Sequence, residues 1–124
     1  MPEGGSRQAG EPWEVQLSLC MILKDEEFFL ARCLDATRDY VDEIVLVDTG
    51  SSDKTVEIAH RYTDRVYHFD WIDDFAAARN FCLDRARGQW ILVLDADELM
   101  TVQDLAAIRQ LLPGATEEAF VIDQ

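Results

Sequence analysis

Basic residues are scarce in this chain of 124 residues. Its 11 lysines and arginines stand against 25 aspartates and glutamates, which gives a formal net charge of −14. A field of this sign repels nucleic acid and anionic membrane surfaces, so we expect neither as a partner. It also repels phosphate groups. An anionic ligand would therefore need a bridging cation or local hydrogen-bond donors.

Long apolar runs and paired cysteines are also absent from the sequence. It has no apolar run of membrane-spanning length and no N-terminal apolar segment typical of a signal peptide. The three cysteines, Cys20, Cys33 and Cys82, are odd in number and widely spaced. This spacing does not match a zinc site and argues against a disulfide framework. We therefore predict reduced core cysteines in a cytoplasmic protein that has no membrane span.

Two common phosphate-binding fingerprints are missing. Gly50 stands alone, so there is no G-x-G-x-x-G pattern, and the segment that ends in Lys54 and Thr55 lacks the second glycine of a P-loop. The turn at residues 49–53 still offers hydroxyls and backbone N–H groups to a phosphate or a sugar hydroxyl. The simpler alternative is that this segment is only a capped turn.

Nearly half of the residues are hydrophobic, which is enough for one folded domain. Residues 1–16 are rich in glycine, glutamate and proline without any period, and we predict a disordered N-terminal arm followed by a domain at 17–124. Short apolar runs predict strands, and apolar residues at helical spacing predict helices. The predicted strands are 17–23, 43–48, 65–69, a strand from Trp90, and 119–123. The predicted helices are one with Asp25 as its N-cap, 54–62 capped by Ser52 or Asp53, 75–87, and one capped at Thr101.

Strands and helices alternate four times with short connections, which is typical of βαβ units. We therefore predict an α/β fold of the Rossmann-like, three-layer kind, with a mostly parallel sheet in the order 3-2-1-4. The direction in which the sheet grows reverses between strands one and four, and ligands bind at such switch points. Acidic residues follow strands one, two and four at this edge: Asp25, Asp48, Asp95 and Asp97.

The segment 90–98 is an apolar run that ends abruptly in three acids, Asp95, Asp97 and Glu98. Carboxylates this close repel one another unless a positive charge lies among them. Their oxygens are hard ligands of the kind that divalent cations prefer. This pattern favours a metal site, and the alternative is that the acids only mark the point where a strand meets solvent.

Four segments in this order and spacing resemble the nucleotide-binding half of family-2 glycosyltransferases of the GT-A fold: 17–27, 42–55, 74–80 and 90–98. The resemblance extends from about Leu17 to Met100. It implies a partial GT-A domain that binds a nucleotide sugar, with a UDP-sugar preferred, through Mn²⁺ or Mg²⁺. It further implies inverting transfer of the sugar to an acceptor hydroxyl.

The resemblance also assigns roles to individual residues. Asp48 matches the acid that contacts the nucleoside base, Asp95 lies near the ribose and the metal, and Asp97 lies on the metal. Arg79 matches a basic residue near the nucleotide, and the loop 24–26 borders the same pocket. With the hydroxyls of the turn after the second strand, the predicted nucleotide-sugar-binding residues are Lys24, Asp25, Glu26, Asp48, Thr49, Ser51, Arg79 and Asp95.

The sequence departs from the family pattern in two ways. Asp25 stands where this subgroup commonly has asparagine. A carboxylate there would weaken the binding of a nucleotide or help to recruit the metal. Family members also continue for roughly another hundred residues, on the scale of one more small domain. That half carries the acceptor site and the catalytic base, so we assign no base here. We expect a missing C-terminal half or self-association through the uncovered apolar surface.

Other classes of protein remain as alternatives. The first is a non-catalytic interaction module or pseudo-enzyme that keeps the fold without turnover. The second is a receiver-like phosphoacceptor domain, which has this size and an acidic pocket. It also needs a lysine at the end of its last strand, whereas the only lysines here are Lys24 and Lys54.

Overall fold

The structure is a computed structural model that describes residues 15–98, 100–112 and 120–123. The strands are β1 (Leu17–Leu23), β2 (Glu43–Asp48), β3 (Val66–His68), β4 (Trp90–Val93) and β5 (Phe120–Asp123). The α-helices are α1 (Leu30–Thr37), α2 (Thr55–Ala59), α3 (Phe75–Arg85) and α4 (Val102–Leu111). A single 3₁₀ turn, Arg38–Tyr40, follows α1.

The sheet has the order β3-β2-β1-β4-β5, and every described pair of strands is parallel. The predicted order 3-2-1-4 is confirmed, and β5 extends the sheet beyond β4. Leu19 of β1 pairs with Ile44 of β2 on one side and with Leu92 of β4 on the other. Strand β1 is therefore the centre of the sheet, which explains why its sequence is apolar apart from Ser18.

Helices cover both faces of the sheet. Leu17, Leu19, Met21 and Leu23 of β1 belong to the core cluster under α1, α2 and α4, whereas Cys20 and Ile22 belong to the cluster under α3. Successive side chains of a strand point to opposite faces, so one strand contributes to both cores. The predicted α/β fold with three layers is confirmed.

The first two helices begin differently from the prediction. Helix α1 begins at Leu30, and its cap position is Phe29, which makes no side-chain capping hydrogen bond. The prediction that Asp25 caps this helix is wrong, because its Oδ1 accepts a hydrogen bond from the Ser52 N–H at 2.7 Å. Helix α2 is shorter than predicted and has Lys54 at its cap position.

The caps of the last two helices match their sequence signals. Asp74 accepts a hydrogen bond from the Ala77 N–H at 3.1 Å at the start of α3. Thr101 Oγ1 accepts from the Asp104 N–H at 3.0 Å at the start of α4, as its capping pattern predicts. These side chains satisfy backbone donors that the first turn of a helix leaves unpaired.

Glu43 joins three parts of the chain at the amino edge of the sheet. Its side chain is 3% exposed and accepts from Ser18 Oγ at 2.8 Å, Arg65 Nη1 at 2.9 Å, and Arg87 Nε at 2.6 Å. The Arg87 N–H also donates to Glu43 Oε1 at 2.8 Å. The sequence predicts that α3 ends at Arg87, whereas the helix ends at Arg85. The contact of Arg87 with Glu43 helps to explain this difference.

Some sequence predictions concern residues outside the described part of the chain. They include most of the predicted arm, residues 1–14, and Ala119, the first residue of the last predicted strand. Within the residues that the structure describes, no helix is both long enough and apolar enough to cross a membrane.

Candidate functional site

A cleft of about 310 Å³ opens at the carboxyl edge of the sheet. This volume is near the lower end of the usual range for small-molecule sites, which is roughly 300–1,000 Å³. The residues that line it come from the ends of β1 and β2, the loop before α3, and the turn after β4. They are Ile22, Leu23, Lys24, Glu26, Thr49, Trp71, Phe75, Asp95, Ala96 and Asp97.

Only part of the predicted site lines this cleft. Lys24, Glu26, Thr49, Asp95 and Asp97 are among its lining residues. The other predicted site residues do not line it and lie at the end of β2, in the loops after β1 and β2, or on α3: Asp48, Asp25, Ser51 and Arg79. The structure therefore brings the loops after β1, β2 and β4 together, as the switch-point argument predicts.

The turn after β4 directs two carboxylates outward. The Asp95 N–H donates to Glu98 Oε1 at 3.0 Å, and the Glu98 N–H donates to the Asp95 carbonyl at 3.0 Å. These two bonds close the turn. Ala96 is buried in the core, while Asp95 and Asp97 on either side of it are exposed at the cleft. The alternation of side chains along this segment therefore explains why the acids at positions 95 and 97 face the same space.

The pKa of Glu26 reflects the negative charge of the cleft. Burial raises its pKa above the usual value, and the negative charges of Asp97 and Asp95 raise it further, followed by smaller effects of Asp53 and Asp25. Carboxylates from the loops after β1 and β4 therefore lie near enough to repel one another. A cation in the cleft would relieve this repulsion.

The donor atoms fit a hard divalent cation, since they are carboxylate oxygens. Their number does not complete a coordination sphere. Among the described residues, no group of three or more histidine, cysteine, aspartate or glutamate side chains is arranged to hold a metal ion. A cation here would therefore need further oxygen ligands from a bound molecule or from water.

Asp48 is directed into the turn that follows β2. It is 4% exposed. Its Oδ2 accepts from the N–H groups of Gly50 and Ser51 at 3.0 Å each, and its Oδ1 accepts from Ser51 Oγ at 2.5 Å. Thr49 lines the cleft instead, and its hydroxyl donates to the Leu23 carbonyl at 3.0 Å. The hydrogen bonds of Asp48 thus stabilise the turn that presents Thr49.

The loops after β1 and β2 are joined by side-chain to backbone hydrogen bonds. The Asp25 N–H donates to Ser51 Oγ at 2.9 Å, and the Glu26 N–H donates to Thr55 Oγ1 at 2.7 Å. In the reverse direction, the Ser52 N–H donates to Asp25 Oδ1. Asp25 has a left-handed backbone with φ of 53°. An asparagine oxygen could accept the same bond, so the geometry does not require a carboxylate at position 25.

An aromatic wall at the cleft was not predicted from the sequence. It is formed by Trp71, in the loop after β3, and by Phe75, the first residue of α3. Both are exposed, at 42% and 51%. Two large apolar side chains next to the Asp74 cap were the signal available in the sequence. Arg79 lies one turn further along α3 and is half-buried.

Comparisons with known proteins agree with this architecture. Residues 18–119 match the family model described as glycosyl transferase family 2. The chain is 46% identical over 107 residues to a TPR repeat-containing protein of Synechococcus elongatus, an alignment that covers 86% of this chain and 27% of that protein. It is 30% identical over 105 residues to the glycosyltransferase SunS of Bacillus phage SPbeta, covering 83% of this chain and 24% of SunS.

Two further proteins also match most of this chain over a smaller part of their own length. The chain is 31% identical over 105 residues to the lipopolysaccharide core biosynthesis glycosyltransferase LpsC of Rhizobium meliloti, covering 81% of this chain and 37% of LpsC. The crystal structure of S. aureus TarS, residues 1–349, superposes with a TM-score of 0.63 at 21% identity, covering 77% of this chain and 31% of that one. The chain thus spans well under half the length of these proteins.

Proposed function

The chain belongs to glycosyl transferase family 2, and we propose that it binds the nucleotide-sugar donor of such an enzyme, with a UDP-sugar as the preferred donor. The observation that carries the proposal is the cleft in which Asp95 and Asp97 lie near Glu26, at the switch point of a parallel sheet. An acidic cleft in so acidic a chain suits an anionic ligand only if a cation accompanies it.

We propose Mn²⁺ or Mg²⁺ as that cation, held by Asp97 with Asp95 beside it. The donor chemistry of the cleft supports this assignment, and the diphosphate of the donor would supply the ligands that the chain lacks. When bound, such an ion neutralises the negative charge that grows on the leaving nucleoside diphosphate. The two carboxylates would hold the cation at one end of the cleft.

For the nucleotide itself, the proposal places Thr49 and Lys24 along the cleft and Ser51 in the turn behind it. Ser51 and Asp25 hold the loops after β1 and β2 together, so they act by positioning their neighbours. The contact of Asp48 with the base and the contact of Arg79 with the nucleotide stay predictions. Asp48 has spare lone pairs for such a contact, although its two oxygens already accept three hydrogen bonds.

Transfer would proceed by attack of an acceptor hydroxyl on the anomeric carbon with inversion, assisted by a carboxylate base. We assign neither that base nor the binding site of the acceptor to residues of this chain. Sugar transfer is therefore a proposal for the whole protein. The proposal keeps an arm at residues 1–16, a domain at 17–124, and a cytoplasmic location. The last of these is supported by the three buried, free cysteines.

Calorimetric titration with UDP and UDP-sugars, with and without Mn²⁺, tests the proposal. We expect binding that depends on Mn²⁺ and is lost in Asp97→Ala. Asp64→Ala is the matched control, because Asp64 is exposed and lies before β3, at the opposite edge of the sheet from the cleft. Metal-independent binding, or unchanged binding in Asp97→Ala, would contradict the metal role. No binding by the folded protein would favour the interaction module.

A further inference from the structure

The cleft has two chemically different ends. The acidic end lies at the turn after β4, and the aromatic end is formed by Trp71 and Phe75 after β3. Strands β2 and β1 lie between β3 and β4 in the sheet. The acidic and the aromatic side chains therefore reach the cleft from strands that are not neighbours in the sheet. The floor between them contains Leu23 and Thr49.

The indole of Trp71 is presented in one particular way. Its Nε1–H donates to Asp73 Oδ1 at 2.9 Å, and Asp73 has a left-handed backbone with φ of 55°. The only polar atom of the ring therefore has a partner inside its own loop. What Trp71 offers to the cleft is an aromatic surface without a hydrogen-bond donor.

Phe75 is placed at the same cleft by the start of α3. Asp74 caps the helix through the Ala77 N–H, which sets the position of the first helical residue. Ile72 is 61% exposed but does not line the cleft. The loop thus directs Trp71 toward the cleft and its apolar neighbour away from it.

We propose that Trp71 is the stacking surface for the nucleobase of the bound donor, with Phe75 bordering the same base. The inference rests on the proposed function and adds a residue to it. A nucleoside diphosphate has one aromatic end and one anionic end that needs a cation, which matches the two ends of the cleft. Every base has a π-face, so this contact contributes affinity without selecting one base over another.

Calorimetric titration of the wild type, Trp71→Ala and Trp71→Phe with UDP in the presence of Mn²⁺ tests this role. We expect Trp71→Ala to raise the Kd for UDP roughly 5- to 100-fold, the range that loss of one stacked base produces. Trp71→Phe keeps an aromatic face and should retain most of the affinity. Ile72→Ala is the matched control, and its Kd should equal that of the wild type.

Inorganic pyrophosphate with Mn²⁺ serves as a probe that has no base. Its affinity should be the same in the wild type and Trp71→Ala, since the anionic end is unchanged. An equal loss for pyrophosphate and UDP would overturn the stacking role. Unchanged UDP binding in Trp71→Ala would overturn it too, while the proposed function would stand. If the wild type bound no UDP under any condition, both proposals would fall together.

Discussion

Replacement of the buried Glu43 by glutamine should destabilise the fold more than the same change at an exposed carboxylate. The buried carboxylate accepts from Ser18, Arg65 and Arg87. Glutamine keeps one acceptor oxygen, but its NH₂ group faces guanidinium donors and leaves them without a charge partner. Removal of one partner from a buried ion pair costs roughly 3–5 kcal/mol.

Partial exposure of the arginines lowers this figure. The side chain of Arg87 is 46% exposed and that of Arg65 is 17% exposed, so water can replace part of the lost interaction. We therefore expect Glu43→Gln to lower the free energy of unfolding by about 2–3 kcal/mol. For a domain of this size, such a loss lowers Tm by roughly 5–15 °C.

Urea unfolding followed by circular dichroism measures this effect, with a lower midpoint and an unchanged slope as the expected result. Glu57→Gln makes the same chemical change in an exposed pair, where Glu57 and Arg61 are 3.9 Å apart and both more than 60% exposed. That control should cost less than about 0.5 kcal/mol. Equal midpoints for the two variants would refute the assignment of Glu43 as the residue that joins the amino edge.

Three further results are expected. Gly88→Ala should lower stability by about 1–3 kcal/mol in the same unfolding assay, because a Cβ would lie 2.6 Å from Ser18 Oγ and 2.7 Å from the Trp90 carbonyl; an unchanged midpoint would contradict this packing. Burial raises the pKa of Asp42, but hydrogen bonds from Arg109 and the Leu17 N–H hold it below its usual value. The ionised form therefore stabilises the fold above pH 4, and the stability difference between wild type and Asp42→Asn should shrink as pH falls from 7 toward 3; a constant difference would be inconsistent with that pKa. Burial raises the pKa of Cys33 to about 11, and all three cysteines are buried, so a disulfide reagent at pH 7 should label them only after unfolding in urea, whereas rapid labelling of the folded protein would show that they are accessible.

Much of the fold could be predicted because the signals are local. Strands buried on both faces are short apolar runs, and β1 and β2 have the bounds that those runs predict. The order of the sheet followed from short, right-handed connections. The carboxylates at positions 95 and 97 could be placed at the cleft because a parallel sheet brings the carboxyl ends of its strands to one edge.

Other features depend on partners that are distant in the chain. Asp25 is a residue type that often caps helices, but its carboxylate accepts a hydrogen bond from the Ser52 N–H in the next loop instead. Asp48 is acidic and follows a strand, yet its own turn takes up both oxygens. Trp71 is not among the site residues predicted from the sequence, and only the course of the loop shows that it lines the cleft. Residue type therefore indicated the chemistry of these loops, whereas tertiary contacts determined where each side chain points.

The central strand of the sheet, β1, is also the first strand to be synthesised. Strand β1 leaves the ribosome before its neighbours β2 and β4, because it precedes both in the chain. Strands β1, β2 and β3 can pair, and the loops after β1 and β2 can join, while β4 is still being translated. The acidic turn with Asp95 and Asp97 is the last of the segments lining the cleft to be synthesised. The cleft is therefore incomplete until that turn has left the ribosome.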